Sequence, residues 1–341
     1  MKVSLTTKSI LLLAALFGVF GLELFLGSVN IEISEVLGIL FQPSEHRGAH
    51  KIIVLQSRLP RALTALVAGS GLALCGLLMQ TFFRNPLAGP SVLGITSGAS
   101  LGVAILVLMT SGSGWWITQN IPGASAAVAL AAMSGALVVL FIVLLVARRI
   151  QSVVSILVFG LMIGYLSGAM VSVLEQGATK EALQAYVFWG MGTFADVQWL
   201  QWYILLALLV VSIALIYPLR RYLDAWLLGQ DYASSMGVPV GRVRWLVLCV
   251  TGVLAGGITA FCGPIAFLGL AVPHLVRGWW QQGSHKWLVP GCLLAGAFLG
   301  LLCDLISRTP GMDGGLPLNA VTSMVGAPVV IWIILKGRRV F

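Results

Sequence analysis

The sequence predicts an all-α, polytopic membrane protein, and three features predict it. Of its 341 residues, 59% are hydrophobic and 9% charged, at a mean hydropathy of +1.00. Soluble domains carry about 25% charged residues, so this chain has too few to cover a water-facing surface. Apolar runs of bilayer length, about 20 residues each, recur from end to end. Prolines and glycines break these runs at particular places, most sharply in FRNPLAGPSVLGITSGASLG, residues 83–102. Helices are the expected spanning form, because lipid cannot satisfy a bare backbone N–H or C=O.

Ten spans are expected, bounded by charge and turn signals. The first, near 9–28, follows Lys2 and Lys8 and runs past Glu23. It shows no small-x-small cleavage site and reads as a span, not a signal peptide. The second, 62–82, opens behind Arg58 and Arg61, and the third, 93–112, resumes after Pro86 and Pro90. The fourth, 123–147, ends at Arg148 and Arg149, and the fifth, 152–174, precedes Lys180. The sixth, 198–218, stops before Arg220 and Arg221, and the seventh, 243–262, opens beside Arg242 and Arg244. The eighth, 265–281, carries Arg277; the ninth, 288–306, lies between Lys286 and Arg308; the tenth, 317–336, runs to Lys336.

An even number of spans puts both termini on one side. Lys2, Lys8, Arg84, Arg148, Arg149, Arg220, Arg221, Arg242, Arg244, Arg277, Lys286, Lys336, Arg338 and Arg339 fall there, against the acids Asp224 and Asp231. This excess marks the terminal side as cytoplasmic in a bacterial inner membrane. The net charge of +9 is thus an orientation signal and needs no nucleic-acid partner. One outer loop runs against the rule. Segment 42–61, QPSEHRGAHKIIVLQSRLPR, carries Arg47, Lys51, Arg58 and Arg61, and reads either as a solvated loop or as a docking surface for an acidic partner.

Displaced by 183 residues, the chain matches itself at special positions: Arg61 on Arg244, Gly69 on Gly252, and Leu87-Ala88-Gly89-Pro90 on Leu270-Ala271-Val272-Pro273. Arg61 opens an outer end and Arg244 an inner end. The repeat units, approximately 58–175 and 241–336 of a single domain 1–341, are therefore expected to be inverted, as in many transporters. Irregular backbone at membrane depth must face protein or a cavity, so the broken stretch 83–102 is expected to point inward.

Intramembrane chemistry is sparse. Glu23 and Asp304 are the acids within spans, too few for a proton relay, which weakens the alternative of an ion-coupled secondary carrier. A membrane scaffold is the other alternative. No HExxH or P-loop sequence occurs, so neither catalysis nor a nucleotide site is expected, and no metal site is assigned. His46 and His50 stand four apart but flank Gly48, and Cys75, Cys249, Cys262, Cys292 and Cys303 lie singly in apolar segments. The long cytoplasmic loop 218–242, PLRRYLDAWLLGQDYASSMGVPVGR, is more informative. Leu223, Trp226 and Leu227, then Tyr232 and Met236, recur at helical spacing around Gly229. That pattern predicts two short amphipathic helices with a glycine hinge, lying on lipid headgroups or inserted into a partner subunit.

At these residues the chain resembles the permease subunits of ATP-binding-cassette importers for iron–siderophore complexes, haem and vitamin B12. The resemblance runs from about Arg58 to the C-terminus through RLPR (58–61), GLLMQTFFRNPLAGPSVLGITSGA (76–99), LLGQDYASSMGV (227–238), FLGLAVPHLVR (267–277) and LPLNAVTSMVGAPVVIWIILK (316–336). It implies a homodimer, two cytoplasmic ATPase subunits that carry the ATP and Mg, and a periplasmic binding protein. It implies docking of that protein by Arg58, Arg61 and Arg308. It further implies ATPase coupling by Asp224, Leu227, Leu228, Gly229, Gln230, Asp231, Ser234, Met236 and Gly237. The translocation path is expected to pass the fifth span, at Ser155, Gly160, Gly164, Ser167, Gly168 and Ser172. The chain departs from the family at Gln230, where the family usually has glutamate.

Overall fold

A computed structural model of the chain describes residues 4–44, 46–109, 124–150, 152–308 and 315–335. Lys2, Lys336, Arg338 and Arg339, part of the orientation signal, lie outside the described residues. The described residues form helices α1 (Leu5–Phe25), α2 (Ile33–Phe41), α3 (Ala49–Phe83), α4 (Ile95–Met109), α5 (Ala124–Arg149), α6 (Val153–Gln176) and α7 (Lys180–Gly190). They continue with α8 (Trp199–Ile216), α9 (Arg220–Trp226), α10 (Gln230–Ser235), α11 (Val240–Cys262), α12 (Leu268–Trp280), α13 (His285–Ser307) and α14 (Leu318–Leu335). No strand occurs among the described residues.

Every expected span finds a helix. Helices α1, α3, α5, α6, α8, α11 and α13 are long and apolar enough to cross a bilayer. Helix α12 has 13 residues, roughly 20 Å at 1.5 Å per residue, short of the ~30 Å hydrocarbon thickness. It is tolerated because protein surrounds it: Leu268, Val272, His274 and Val276 are all buried.

The bundle is built around α3, which buries nearly all of its last seventeen residues, 67–83. Small side chains make this possible. A Cβ on Gly76 would collide with the Gly269 carbonyl of α12, so those two helices touch backbone to backbone. Within α3, Ile53–Arg58 is wound as a π-helix. The Leu55 carbonyl there accepts the Trp199 indole N–H at 3.1 Å, a side-chain partner on α8.

The broken stretch is ordered turn by turn. Arg84 adopts a left-handed conformation (φ 48°) that ends α3, and the Asn85 side chain accepts the Leu87 N–H at 2.9 Å. A 3₁₀ turn, Pro90–Leu93, and Gly94 at φ 75° lead into α4. Ala88, Leu93 and Ile95 are buried, Gly94 lies against Gly160 of α6, and His274 donates to the Pro86 carbonyl at 2.6 Å. The stretch therefore packs on α6 and α12, inside the protein.

The packing has a reciprocal pattern. Helix α3 lies on α13 and α11 lies on α5. Arg61, just past the π-helical segment of α3, reaches Asp304 near the end of α13, while Arg244 near the start of α11 donates to the Ala147 and Ile150 carbonyls at the end of α5, at 3.4 and 3.1 Å. The two arginines that the 183-residue offset superposes thus each tie their own helix to the end of its packing partner.

Candidate functional site

Two polar assemblies occupy opposite ends of the buried part of α3. At its C-terminal end sits the 218–242 loop. Pro218 in a 3₁₀ turn ends α8, α9 follows, and Gly229 takes φ 119°, a conformation that a side chain strains. Helix α10 then runs to Ser235, and Gly237 (φ 80°) turns the chain into α11. The pair of short helices and the glycine hinge are as the periodicity predicts.

The loop is anchored firmly. Trp226 is buried, stacks on Phe82 at 5.4 Å between ring centroids, and donates its indole N–H to the Phe82 carbonyl at 3.1 Å. Asp224 accepts three bonds: Ser284 Oγ at 2.8 Å, the His285 N–H at 2.8 Å and His285 Nδ1 at 2.6 Å. His285 is fully buried and its Nε2 meets the Thr81 hydroxyl at 2.7 Å. Asp224 therefore faces inward, capping the start of α13, where the resemblance implies contact with a partner. Gln230 presents Oε1 to Arg244 Nη2 at 3.1 Å, the acceptor role that a glutamate would also fill.

What remains points outward. Leu228, Tyr232 and Met236 are 62%, 55% and 58% exposed, and Asp231, Ser234 and Gly237 are exposed beside them, while Leu227 is half-buried. These side chains form an amphipathic knob held on a rigid stem.

At the other end of α3 the three predicted arginines are brought close but not left free. Arg58 is 4% exposed and donates to the carbonyls of Leu24 at 2.8 Å, Phe25 at 3.0 Å and Val29. It satisfies carbonyls left open at the end of α1. Arg61 grips Asp304 side-on with one edge of its guanidinium, Nε on Oδ2 at 2.9 Å and Nη2 on Oδ1 at 2.9 Å. Arg308 binds the same carboxylate at 2.7 Å and pairs with Glu23. Their side chains keep 22% and 13% exposure, whereas Glu23 and Asp304 are buried. The sequence reading counted the two acids as too few for a relay and did not pair them; the i,i+4 spacing of Asp304 and Arg308 was the available signal. The segment 42–61, expected as an outer loop, is helical from Ala49 onward; in its first turn His50 bonds Glu35 of α2 at 2.8 Å, and His46 just before it lies against Gly38.

The fifth-span residues divide by face. Gly160 packs on Val92 and Leu93 and Gly164 approaches Gly94 and Ser97, so their smallness serves contact with the broken stretch, and Ser167 is buried. Ser155, Gly168 and Ser172 lie on the exposed face with Met162, Tyr165 and Val173.

A family model decides how this architecture is classed: that of the FecCD transport family matches residues 11–336. The chain belongs to the FecCD transport family. A relative from Citrobacter koseri, named vitamin B12 import system permease protein BtuC, is 37% identical over 85% of this chain and 84% of its own. The protein of that name from Salmonella paratyphi A is 36% identical over 85% of each chain. The fold matches the solved inward-facing conformation of a metal-chelate type ABC transporter at a TM-score of 0.80, with 28% identity over 95% of this chain and 97% of the other. As a FecCD chain it is the multi-pass membrane permease of an ABC importer, and its family is not one of enzymes.

Proposed function

We propose that this permease works as a homodimer in the inner membrane, termini cytoplasmic, and is driven by two separate ATPase subunits that hold the ATP and Mg. The observation that carries the reading is the outward knob of Leu228, Tyr232 and Met236 on its Trp226 and Asp224 anchors. An exposed apolar group on a rigid stem suits insertion into a partner's groove, and the stem passes the displacement to α3 and α13.

The cargo is a metal chelate delivered by a binding protein. Cobalamin, a cobalt chelate, fits both the names of the relatives and the class of the structural neighbour; the latter also favours a second reading, an iron–siderophore complex or haem. The binding protein docks at the outer end, on exposed Arg47 and the accessible edges of Arg61 and Arg308, with Arg58 supporting them from inside. The path runs along the exposed face of α6, past Ser155, Gly168 and Ser172. Reciprocal packing of α3 on α13 and α11 on α5 supports an inverted repeat.

Uptake separates the cargoes. In a host lacking its own permeases, this chain with its cognate ATPase and binding protein should accumulate labelled cyanocobalamin. Accumulation of a ferric siderophore instead would favour the second reading, and accumulation of neither would defeat the chelate assignment.

A further inference from the structure

Between the end of α5, helix α10 and the start of α11 lies a cleft of about 400 Å³, behind the knob and lined in part by residues of the same loop. Its polar lining is Arg148, Arg244, Gln230, Asp231 and Ser234, and Trp245 and Leu248 supply apolar wall. Arginines at two helix ends and a half-exposed tryptophan belong to the membrane–water boundary, so the cleft opens at headgroup level.

One donor in this cleft lacks an acceptor, and one cation lacks a carboxylate partner among the described residues. The Gln230 amide is oriented by Arg244, which takes its oxygen at 3.1 Å; its Nε2 is consequently turned away, buried and without a hydrogen bond. A buried donor left open is rare in folded chains and points to an acceptor from outside. Arg148 is exposed and pairs with no carboxylate among the described residues. Asp231 is the one acid in the lining, against two guanidiniums, so the cleft stays positive.

We infer that this cleft binds the phosphate of an anionic phospholipid from the adjacent leaflet. Arg148 supplies the charge, the Gln230 amide N–H a directed hydrogen bond, and Trp245 and Leu248 the apolar contact for the ester end of the acyl chains. The lipid would fill the angle between the knob helix α10 and the membrane helices that carry it. A glutamate at 230 keeps the bond from Arg244 but replaces the free donor with a carboxylate that repels phosphate.

The test is native mass spectrometry of the full chain purified in detergent and titrated with dioleoylphosphatidylglycerol. Arg148→Ala and Gln230→Glu should each weaken binding about tenfold, the effect of one lost charge-assisted hydrogen bond. Arg221→Ala, an exposed arginine outside the cleft, should leave it unchanged, and dioleoylglycerol, which lacks the phosphate, should not bind. Equal affinities in all four chains would reduce the lipid to annular contact and overturn the site. Displacement of the lipid by millimolar inorganic phosphate would overturn the lipid source in favour of a free anion. Because Arg148 is exposed, its removal tests the site even if Gln230→Glu disturbs the loop.

Discussion

The residues with the largest energetic stake are the charges that share the outer end of the bundle. Asp304 receives both Arg61 and Arg308, and Glu23 pairs with the same Arg308 Nη2 that binds Asp304. Removing one member of a buried ion pair typically costs about 3–5 kcal/mol, because the other is left desolvated and alone. Asp304→Ala should therefore lower the melting temperature of the purified chain sharply, whereas Arg47→Ala, at an exposed site, should not. Arg58→Glu belongs with the first kind: burial on the carbonyls ending α1 predicts loss of folded protein before any loss of docking. Normal yield and melting of that variant would remove the capping role. The presence of Glu23 and Asp304 inside spans was legible in the sequence, but their sharing of Arg308 was not. Residues 23 and 308 meet only through the packing of α1 on α13, which no local spacing encodes.

Among elements, the 218–242 loop was the most legible. Helical spacing on either side of Gly229 is a local signal, and it produced α9, the hinge and α10. The inward turn of Asp224 was hidden, since its partners Ser284 and His285 lie some sixty residues on. Gly229→Val would force a branched side chain into φ 119° and re-aim α10. That variant should fold and reach the membrane yet hydrolyse ATP without uptake once assembled with its ATPase; coupled transport at the normal rate would contradict the hinge. Helix α6 taught the opposite lesson. Six small residues looked equivalent in sequence, but only the fold divides them, with Gly160 and Gly164 against the broken stretch, Ser167 buried, and Ser155, Gly168 and Ser172 outward. Gly160→Leu should abolish folding, because its side chain would enter the backbone of Val92 and Leu93, while Gly168→Leu should be accepted by the fold. Equal expression and melting of the two would erase the distinction between faces.

For the whole molecule, the spans were legible because lipid leaves a chain few choices: apolar length and flanking arginines were enough to locate every one of them. What composition could not supply was the centre. Helix α3 is the buried core because Gly76 and its small neighbours admit other backbones, a property of the assembled bundle. The exposed apolar faces of α6 and α8, with Met162, Leu166, Leu200 and Val211 outward, leave room for both lipid and a second subunit. If α6 borders the dimer's path, a cysteine at Gly168 should form a subunit-to-subunit disulfide under mild oxidation and one at buried Ile156 should not. The central claim, that an external ATPase moves this chain through the 218–242 knob, is tested most directly by purifying the tagged chain from its native membranes and measuring what accompanies it. A stoichiometric P-loop ATPase that is lost when Leu228, Tyr232 and Met236 are changed to serine is the predicted result. No ATPase after mild solubilisation and crosslinking, or one retained equally by the serine variant, would contradict it.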